Sequence, residues 1–125
     1  MGLSGRRALM QNLPKIIETN KIDFTIINGE NAADDGKGIT KEIANEFFTL
    51  GIDVITSGNH IWDKQEITKY IEDESRLLRP ANLVEGSPGK GFGIYFSKNK
   101  KYKVGVVNLM GNVFMKKTND VFVTA

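Results

Sequence analysis

The chain has 125 residues, of which 40% are hydrophobic and 26% are charged, and its formal net charge is +2. This length suits one folded domain, and the composition is unlike that of disordered or collagen-like chains. No apolar run reaches the roughly 20 residues that span a bilayer, so we expect no membrane association. Because the chain has no cysteine, it has no disulfide framework, and we expect a cytoplasmic protein.

The net charge is too small to indicate a nucleic-acid surface. The densest group of cations lies around a polar turn between two apolar runs and consists of Lys98, Lys100, Lys101 and Lys103. A solvated hairpin tip explains this group better than a site for a polyanion.

The first predicted element is an amphipathic helix over residues 4–19, where apolar side chains recur at helical spacing. Ser4 is available as its N-cap. Pro14 lies inside this pattern, where it removes a backbone hydrogen bond and crowds the preceding turn. We therefore expect a kink or a division of the helix near Leu13.

Two β-branched runs, residues 23–28 and 53–57, have the composition of buried strands. Between them, a loop rich in Gly and Asp leads to a helix that begins near Thr40 and stops before Gly51. Strand, helix and strand in this order predict a crossover unit in which the two strands run parallel in one sheet.

A third helix is expected to start at Asp63, which can cap it together with Glu66, and to end near Glu72. Two further apolar runs, residues 92–96 and 102–109, are separated by a polar turn and predict a β-hairpin. The fold class is therefore α/β, with a mainly parallel sheet, flanking helices and an added hairpin.

Polar residues follow each of the two parallel strands. Glu30 and Asn31 come after the first strand, and Asn59 and His60 come after the second. Ligands bind outside the carboxyl ends of strands in open α/β sheets, so these side chains form a candidate site. A carboxylate, two amides and an imidazole suit divalent metals, and the imidazole can also transfer a proton. Each residue also has an ordinary structural interpretation, as a solvated charge, a turn residue or a hydrogen-bonded histidine.

Three other features have both a structural and a functional interpretation. Trp62 suits a position in the core or in a pocket wall better than a base-stacking platform. Residues 36–38 and 89–91 both read Gly-Lys-Gly and could cradle phosphate through backbone N–H groups. Neither has the spacing or the Ser/Thr of a P-loop, so each is weak evidence by itself.

The motifs together carry a resemblance that none of them carries alone. In chain order they are Asn28-Gly29-Glu30-Asn31-Ala32, Gly36-Lys37-Gly38-Ile39-Thr40, Gly58-Asn59-His60-Ile61-Trp62-Asp63, Arg79-Pro80-Ala81-Asn82 and Gly89-Lys90-Gly91. They closely resemble the calcineurin-like metallophosphoesterase family, and within it the bacterial branch associated with 2′,3′-cyclic-nucleotide phosphodiesterase activity. The resemblance covers nearly the whole chain.

The resemblance implies a hydrolase that cleaves small cyclic nucleotides with two divalent metal ions, iron or manganese. Glu30 would bridge the metals, with Asn31 and Asn59 as further ligands. His60 would donate a proton to the leaving oxygen, a role that suits an imidazole beside a metal pair. Arg79 or the glycine loops could line the substrate pocket. We also expect the parent protein to be a homo-oligomer.

The chain departs from the family pattern on both flanks of the site. Family members begin with an apolar strand that ends in a metal-binding Asp, and Met1 falls after that point. They also supply several histidine ligands from their second half, whereas His60 is the only histidine of this chain. We therefore expect residues 1–125 to be a partial metallophosphoesterase domain, a fragment of an ordinary enzyme. The alternative is a short protein that kept the fold, lost catalysis and binds a nucleotide or a protein partner.

Overall fold

A computed structural model describes residues 2–115 and 118–125 of the chain. In chain order it contains α1 (Gly2–Thr19), β1 (Ile26–Asn28), α2 (Lys41–Thr49), β2 (Val54–Thr56), α3 (Ile67–Asp73), β3 (Leu77–Leu78), β4 (Phe92–Phe96), β5 (Lys103–Val107) and α4 (Val121–Thr124). None of the helices in this described part is long and apolar enough to cross a membrane. The predicted α/β class is confirmed.

The first three strands form a parallel sheet in the order β1, β2, β3. Ile27 lies opposite Ile55, and Ile55 lies opposite Leu77. The prediction that residues 23–28 and 53–57 pair in one sheet is confirmed, although regular strand geometry covers only part of each run. Because the strands are parallel, the residues that follow β1 and β2 lie at the same edge of the sheet.

The sheet is covered on both faces because successive side chains of a strand point in opposite directions. On one face, Ile55 packs with Phe47 of α2 in the main hydrophobic core. On the other face, Val54 and Leu78 pack with Val106 of β5. Burial of each such side chain stabilises the fold by up to about 1.5–3 kcal/mol. The helices and the hairpin therefore hold the sheet between them.

The antiparallel hairpin of β4 and β5 is confirmed, with Phe92 opposite Val107 and Phe96 opposite Lys103. Its turn carries Lys98, Lys100 and Lys101 of the predicted group, Lys103 begins β5, and all four lysines are exposed. The solvated tip predicted from the sequence is thus where the structure places these cations.

Helix α1 is longer and more continuous than the sequence predicts. It begins at Gly2 and not at Ser4, because the Gly2 N–H donates to the Asn31 carbonyl at 2.7 Å and holds the start of the helix. The helix also passes through Pro14 without a division. Burial of the neighbouring Leu13 in the main core offsets the loss of one backbone hydrogen bond.

The predicted start of α3 at Asp63 is wrong. The helix begins at Ile67, and Glu66 at the N-cap position makes no side-chain capping bond. Asp63 is not free to cap because its carboxylate bonds to His60 Nδ1 at 2.7 Å. The chain between His60 and α3 forms turns that keep these two side chains together.

Asn108 joins the hairpin to the sheet. Its side-chain amide donates to the carbonyl of Ser57 at 2.8 Å and to that of Leu78 at 3.0 Å. The Ser57 hydroxyl donates to the same Leu78 carbonyl at 2.8 Å. All three residues are buried, so this network ties the ends of β2, β3 and β5 together out of contact with water.

We expect Asn108→Ala to lower the free energy of unfolding by about 2 kcal/mol, because two buried carbonyls lose a donor. Asn12→Ala is the control, since the Asn12 amide bonds to the Ala8 carbonyl at the exposed surface of α1. It should change stability by less than about 0.5 kcal/mol. Urea unfolding followed by circular dichroism measures both variants, and equal effects would contradict the role of the network.

Candidate functional site

The Glu30 carboxylate lies against the backbone of Gly58. A Cβ atom at position 58 would overlap the Glu30 carboxyl group, and the His60 N–H approaches Glu30 Oε1 at 3.5 Å. Glu30 follows β1 and Gly58 follows β2, so the parallel pairing brings them together. The Asn28 side chain accepts from the Glu30 backbone N–H at 3.0 Å and fixes the turn. Glu30 can reach this position only because residue 58 has no side chain.

A cleft of about 320 Å³ opens beside this contact, at the small end of the range of ligand sites. One set of lining residues lies at or after the ends of strands and is largely polar: Asn28, Glu30, Ser57, Gly58 and Asn59 of the parallel sheet, and Asn108 after β5. The other set follows β5 and is largely apolar: Leu109, Met110, Gly111, Val113 and Met115. The cleft therefore combines one carboxylate, several amides and an apolar wall.

The structure brings two of the four predicted site residues into this cleft. Glu30 and Asn59 line it. Asn31 lies one residue beyond Glu30, where its backbone pairs with that of Gly38, and it is not among the lining residues. Neither asparagine side chain forms a hydrogen bond to the residues that the structure describes, so both amide oxygens are available to a ligand.

His60 lies beside the cleft and is oriented by Asp63. Its Nδ1 is 2.7 Å from Asp63 Oδ2, and the Asp63 N–H donates to the His60 carbonyl at 3.1 Å. Because Asp63 engages Nδ1, the other ring nitrogen, Nε2, remains for a ligand or a proton. Trp62 in the same turn packs against the main core, as its structural interpretation predicts.

The first Gly-Lys-Gly segment packs against the His60 turn. Gly38 has a φ of 72°, and a Cβ atom there would lie 2.8 Å from the His60 carbonyl oxygen. Glycine is therefore needed both for the left-handed backbone and for the close approach. Lys64 joins the same two segments through an ion pair with Asp35 at 2.7 Å, and its hydrogen bond lowers the pKa of the Asp35 carboxyl.

The second Gly-Lys-Gly segment, residues 89–91, connects the sheet to the hairpin. The Lys90 carbonyl accepts from the Arg79 N–H at 3.0 Å. The Arg79 guanidinium donates to the carbonyls of Pro80 at 2.8 Å and Pro88 at 3.2 Å, and burial lowers its pKa. Arg79 therefore anchors the backbone between β3 and β4 and is not among the residues that line the cleft.

The donor set suits a divalent cation and is incomplete for two. The Glu30 carboxylate and the Asn59 amide are hard oxygen ligands at one cleft, with a second amide at Asn31. Within residues 2–115 and 118–125, His, Cys, Asp and Glu form no group of three or more that could hold a metal. These residues could therefore hold part of a metal site, and the described chain does not complete it.

Two buried asparagines shape the cleft, although neither was assigned a defined role from the sequence. Asn108 lines it and ties the strand ends together, as described above. Asn82 is fully buried, donates to the Met110 carbonyl at 2.7 Å and accepts from the Met110 N–H at 2.9 Å. For Asn108 the available signal was a polar residue within the apolar run 102–109, and for Asn82 it was the Arg79-Pro80-Ala81-Asn82 motif.

Comparison with known proteins places this arrangement in a family. The family model described as YmdB-like protein matches residues 1–125. The chain belongs to the YmdB-like protein family. A relative from Bacillus subtilis (strain 168), named 2′,3′-cyclic-nucleotide 2′-phosphodiesterase, is 46% identical over 125 residues. The match covers 100% of this chain and 46% of that relative.

Two solved structures share the fold of this YmdB-like chain. A hypothetical protein from Thermus thermophilus has a TM-score of 0.88 and 34% identity, over 99% of this chain and 47% of that one. A novel phosphatase from Mycoplasma pneumoniae has a TM-score of 0.84 and 26% identity, and the match covers 98% of this chain and 44% of the phosphatase. The chain thus spans about half the length of these relatives. The resemblance to metallophosphoesterases that the motifs indicate is confirmed.

We expect Gly58→Ala to displace the Glu30 carboxylate and to lower the free energy of unfolding by about 1–3 kcal/mol, because a methyl and the carboxyl group would overlap. Gly105→Ala is the matched control, since a Cβ atom at this position of β5 meets no atom within 4 Å. Urea unfolding measures stability, and the NMR shifts of the Glu30 side chain report its displacement. Equal stability of the two variants, with unshifted Glu30 signals, would contradict the close approach.

Proposed function

We propose that the chain forms part of the active site of a metal-dependent phosphodiesterase that hydrolyses small cyclic nucleotides such as 2′,3′-cyclic nucleotides. The observation that carries the proposal is the Glu30 carboxylate held against Gly58, beside Asn59, in a cleft at the carboxyl edge of a parallel sheet. Ligand sites of open α/β sheets lie at this edge. An oxygen-rich donor set there suits cations that bind phosphate.

The proposed substrate class is supported by the names of relatives. The Bacillus subtilis relative is named 2′,3′-cyclic-nucleotide 2′-phosphodiesterase, and the Mycoplasma pneumoniae structure is described as a phosphatase. The chain covers only 46% of the Bacillus subtilis relative. The proposed activity is therefore that of a whole protein about as long as this relative. A homo-oligomeric state and a cytoplasmic location stay predictions.

In the proposed site, Glu30 would bridge two divalent cations, and Asn31 and Asn59 would be further ligands. Iron and manganese are the proposed ions, as the resemblance to the metallophosphoesterase family implies. When bound, such cations supply an activated water at neutral pH and stabilise charge on the phosphate oxygens. One carboxylate and two amides are too few for two ions, so the parent protein would supply the remaining ligands.

His60 is the proposed general acid. The bond from Asp63 to Nδ1 fixes the orientation of the imidazole and leaves Nε2 as the ring nitrogen for the substrate. Nε2 would then carry the proton that passes to the leaving oxygen when the phosphodiester bond breaks. The contact of the His60 N–H with the Glu30 carboxylate keeps the proton donor next to the cation ligand.

We expect the full-length protein to hydrolyse 2′,3′-cyclic nucleotides and bis(p-nitrophenyl) phosphate only after Mn²⁺ or Fe²⁺ is restored to chelator-treated enzyme. Glu30→Gln should lower kcat/KM by more than about 100-fold, because a ligand matters at least as much as its supporting residues. Glu46→Gln, on the exposed side of α2, is the charge-matched control and should keep full activity. Absence of metal-dependent turnover on both substrates would favour the alternative of a non-catalytic nucleotide- or protein-binding domain.

We expect His60→Ala in the full-length protein to retain its metals and to lose about 10²–10⁴-fold in rate on substrates with a poor leaving group. An activated aryloxide needs little protonation, so hydrolysis of bis(p-nitrophenyl) phosphate should fall much less. The difference is measured from the rates on a 2′,3′-cyclic nucleotide and on bis(p-nitrophenyl) phosphate. Mass spectrometry gives the metal content of the variant. Equal losses with full metal content would show that His60 is not the acid, and loss of metal would make it a ligand or a structural support.

A further inference from the structure

The chain that follows β5 supplies the apolar wall of the cleft. Val113 and Met115 line the same cavity as Glu30 and Asn59. We call residues 110–115 the cleft segment. The metal and acid roles proposed above use only the polar side of the cavity, so the cleft segment has no assigned part in the reaction.

Asn82 anchors the cleft segment. Its side-chain amide donates to the carbonyls of Met110 at 2.7 Å and Asn119 at 3.2 Å, and its Oδ1 accepts from the Met110 N–H at 2.9 Å. The Asn119 N–H donates to the Asn82 carbonyl at 2.9 Å. Because Asn82 is fully buried, these bonds are shielded from water and hold the start of the cleft segment in place.

The cleft segment exposes apolar side chains beside a polar site. Val113 is 76% exposed and Met115 is 43% exposed. Phe114 between them has a φ of 59°, a backbone conformation that is uncommon for an aromatic residue, and it does not line the cavity. Apolar side chains grouped on a surface indicate contact with an apolar partner.

We propose that Val113 and Met115 bind the nucleobase of the substrate, while its phosphodiester lies at the polar wall with Glu30 and Asn59. This inference rests on the proposed function. A nucleotide has a flat apolar base at one end and an anionic phosphate at the other, and the cleft has two walls of matching character. Val113 and Met115 offer no hydrogen-bond pattern and the methionine is adaptable. They therefore favour a substrate with any base over one without a base.

Packing against further protein is the competing explanation for the exposed side chains, since the matched relatives are about twice as long as this chain. The observations favour the nucleobase, because Val113 and Met115 share one cavity with the Glu30 carboxylate. If Val113 and Met115 pack against protein, replacing them should lower the stability of the fold. If they bind the base, replacing them should change the preference between substrates with and without a base.

The test compares kcat/KM of the full-length protein for adenosine 2′,3′-cyclic phosphate and for glycerol 1,2-cyclic phosphate, which has no base. In a Val113→Ser/Met115→Ser variant, the ratio of kcat/KM for the adenosine substrate to kcat/KM for the base-free substrate should fall about tenfold, because the base loses its apolar contact. Phe114→Ser is the matched control, since Phe114 is an exposed apolar residue of the same segment outside the cavity, and its ratio should stay unchanged.

An unchanged ratio in the double variant would overturn the proposal, and so would an equal fall in the Phe114→Ser control. A lower unfolding midpoint with an unchanged ratio would assign Val113 and Met115 to packing. Metal-dependent turnover of adenosine 2′,3′-cyclic phosphate by the unmutated protein tests the proposed function separately, whichever result the variants give.

A binding measurement covers the case in which neither substrate is hydrolysed. Full-length protein with labelled methionine methyl groups is titrated, in the presence of diamagnetic Mg²⁺, with adenosine 3′-monophosphate and with ribose 5-phosphate. The Met115 methyl signal should shift with the first ligand through the ring current of the base, and not with the second. Equal responses to both ligands, or no response to adenosine 3′-monophosphate, would overturn the assignment.

Discussion

The site depends on the close approach of the Glu30 carboxylate to the backbone of Gly58. This contact requires two parallel strands in register, because only then do the chain segments that follow β1 and β2 share one edge of the sheet. It also requires glycine at position 58, since any side chain would take the place of the carboxylate. The turn after Gly58 then presents Asn59 to the cleft and sets His60 beside it. One steric condition therefore fixes the positions of a carboxylate, an amide and an imidazole.

Two buried amides turn this sheet edge into a cleft. Asn108 bonds to the carbonyls at the ends of β2 and β3, and Asn82 holds the chain that leaves β5. A buried amide is costly unless its hydrogen bonds are made, so each of these residues specifies one arrangement of the segments around it. The hairpin thereby contributes more than a cover for Val54 and Leu78, because it carries the second wall of the cleft into position.

The parallel sheet and its polar edge were predictable because strand composition, glycine stops and the intervening helix all indicate the same topology. The start of α3 was not predictable, because Asp63 can either cap a helix or bond to His60 and its spacing along the chain permits both. The continuity of α1 through Pro14 depends on burial of Leu13, which only the packed structure shows. Val113 and Met115 lie in a segment without secondary-structure periodicity, and their place beside Glu30 follows from contacts distant in sequence.

The most direct test of the metal site is anomalous X-ray diffraction from crystals of the full-length protein soaked in MnCl₂. We predict an anomalous peak about 2–2.6 Å from a carboxylate oxygen of Glu30 and from the side-chain oxygen of Asn59, the distance range of hard-cation ligands. Peaks found only elsewhere, with the Glu30 carboxylate still against Gly58 and free of metal, would contradict the proposed site.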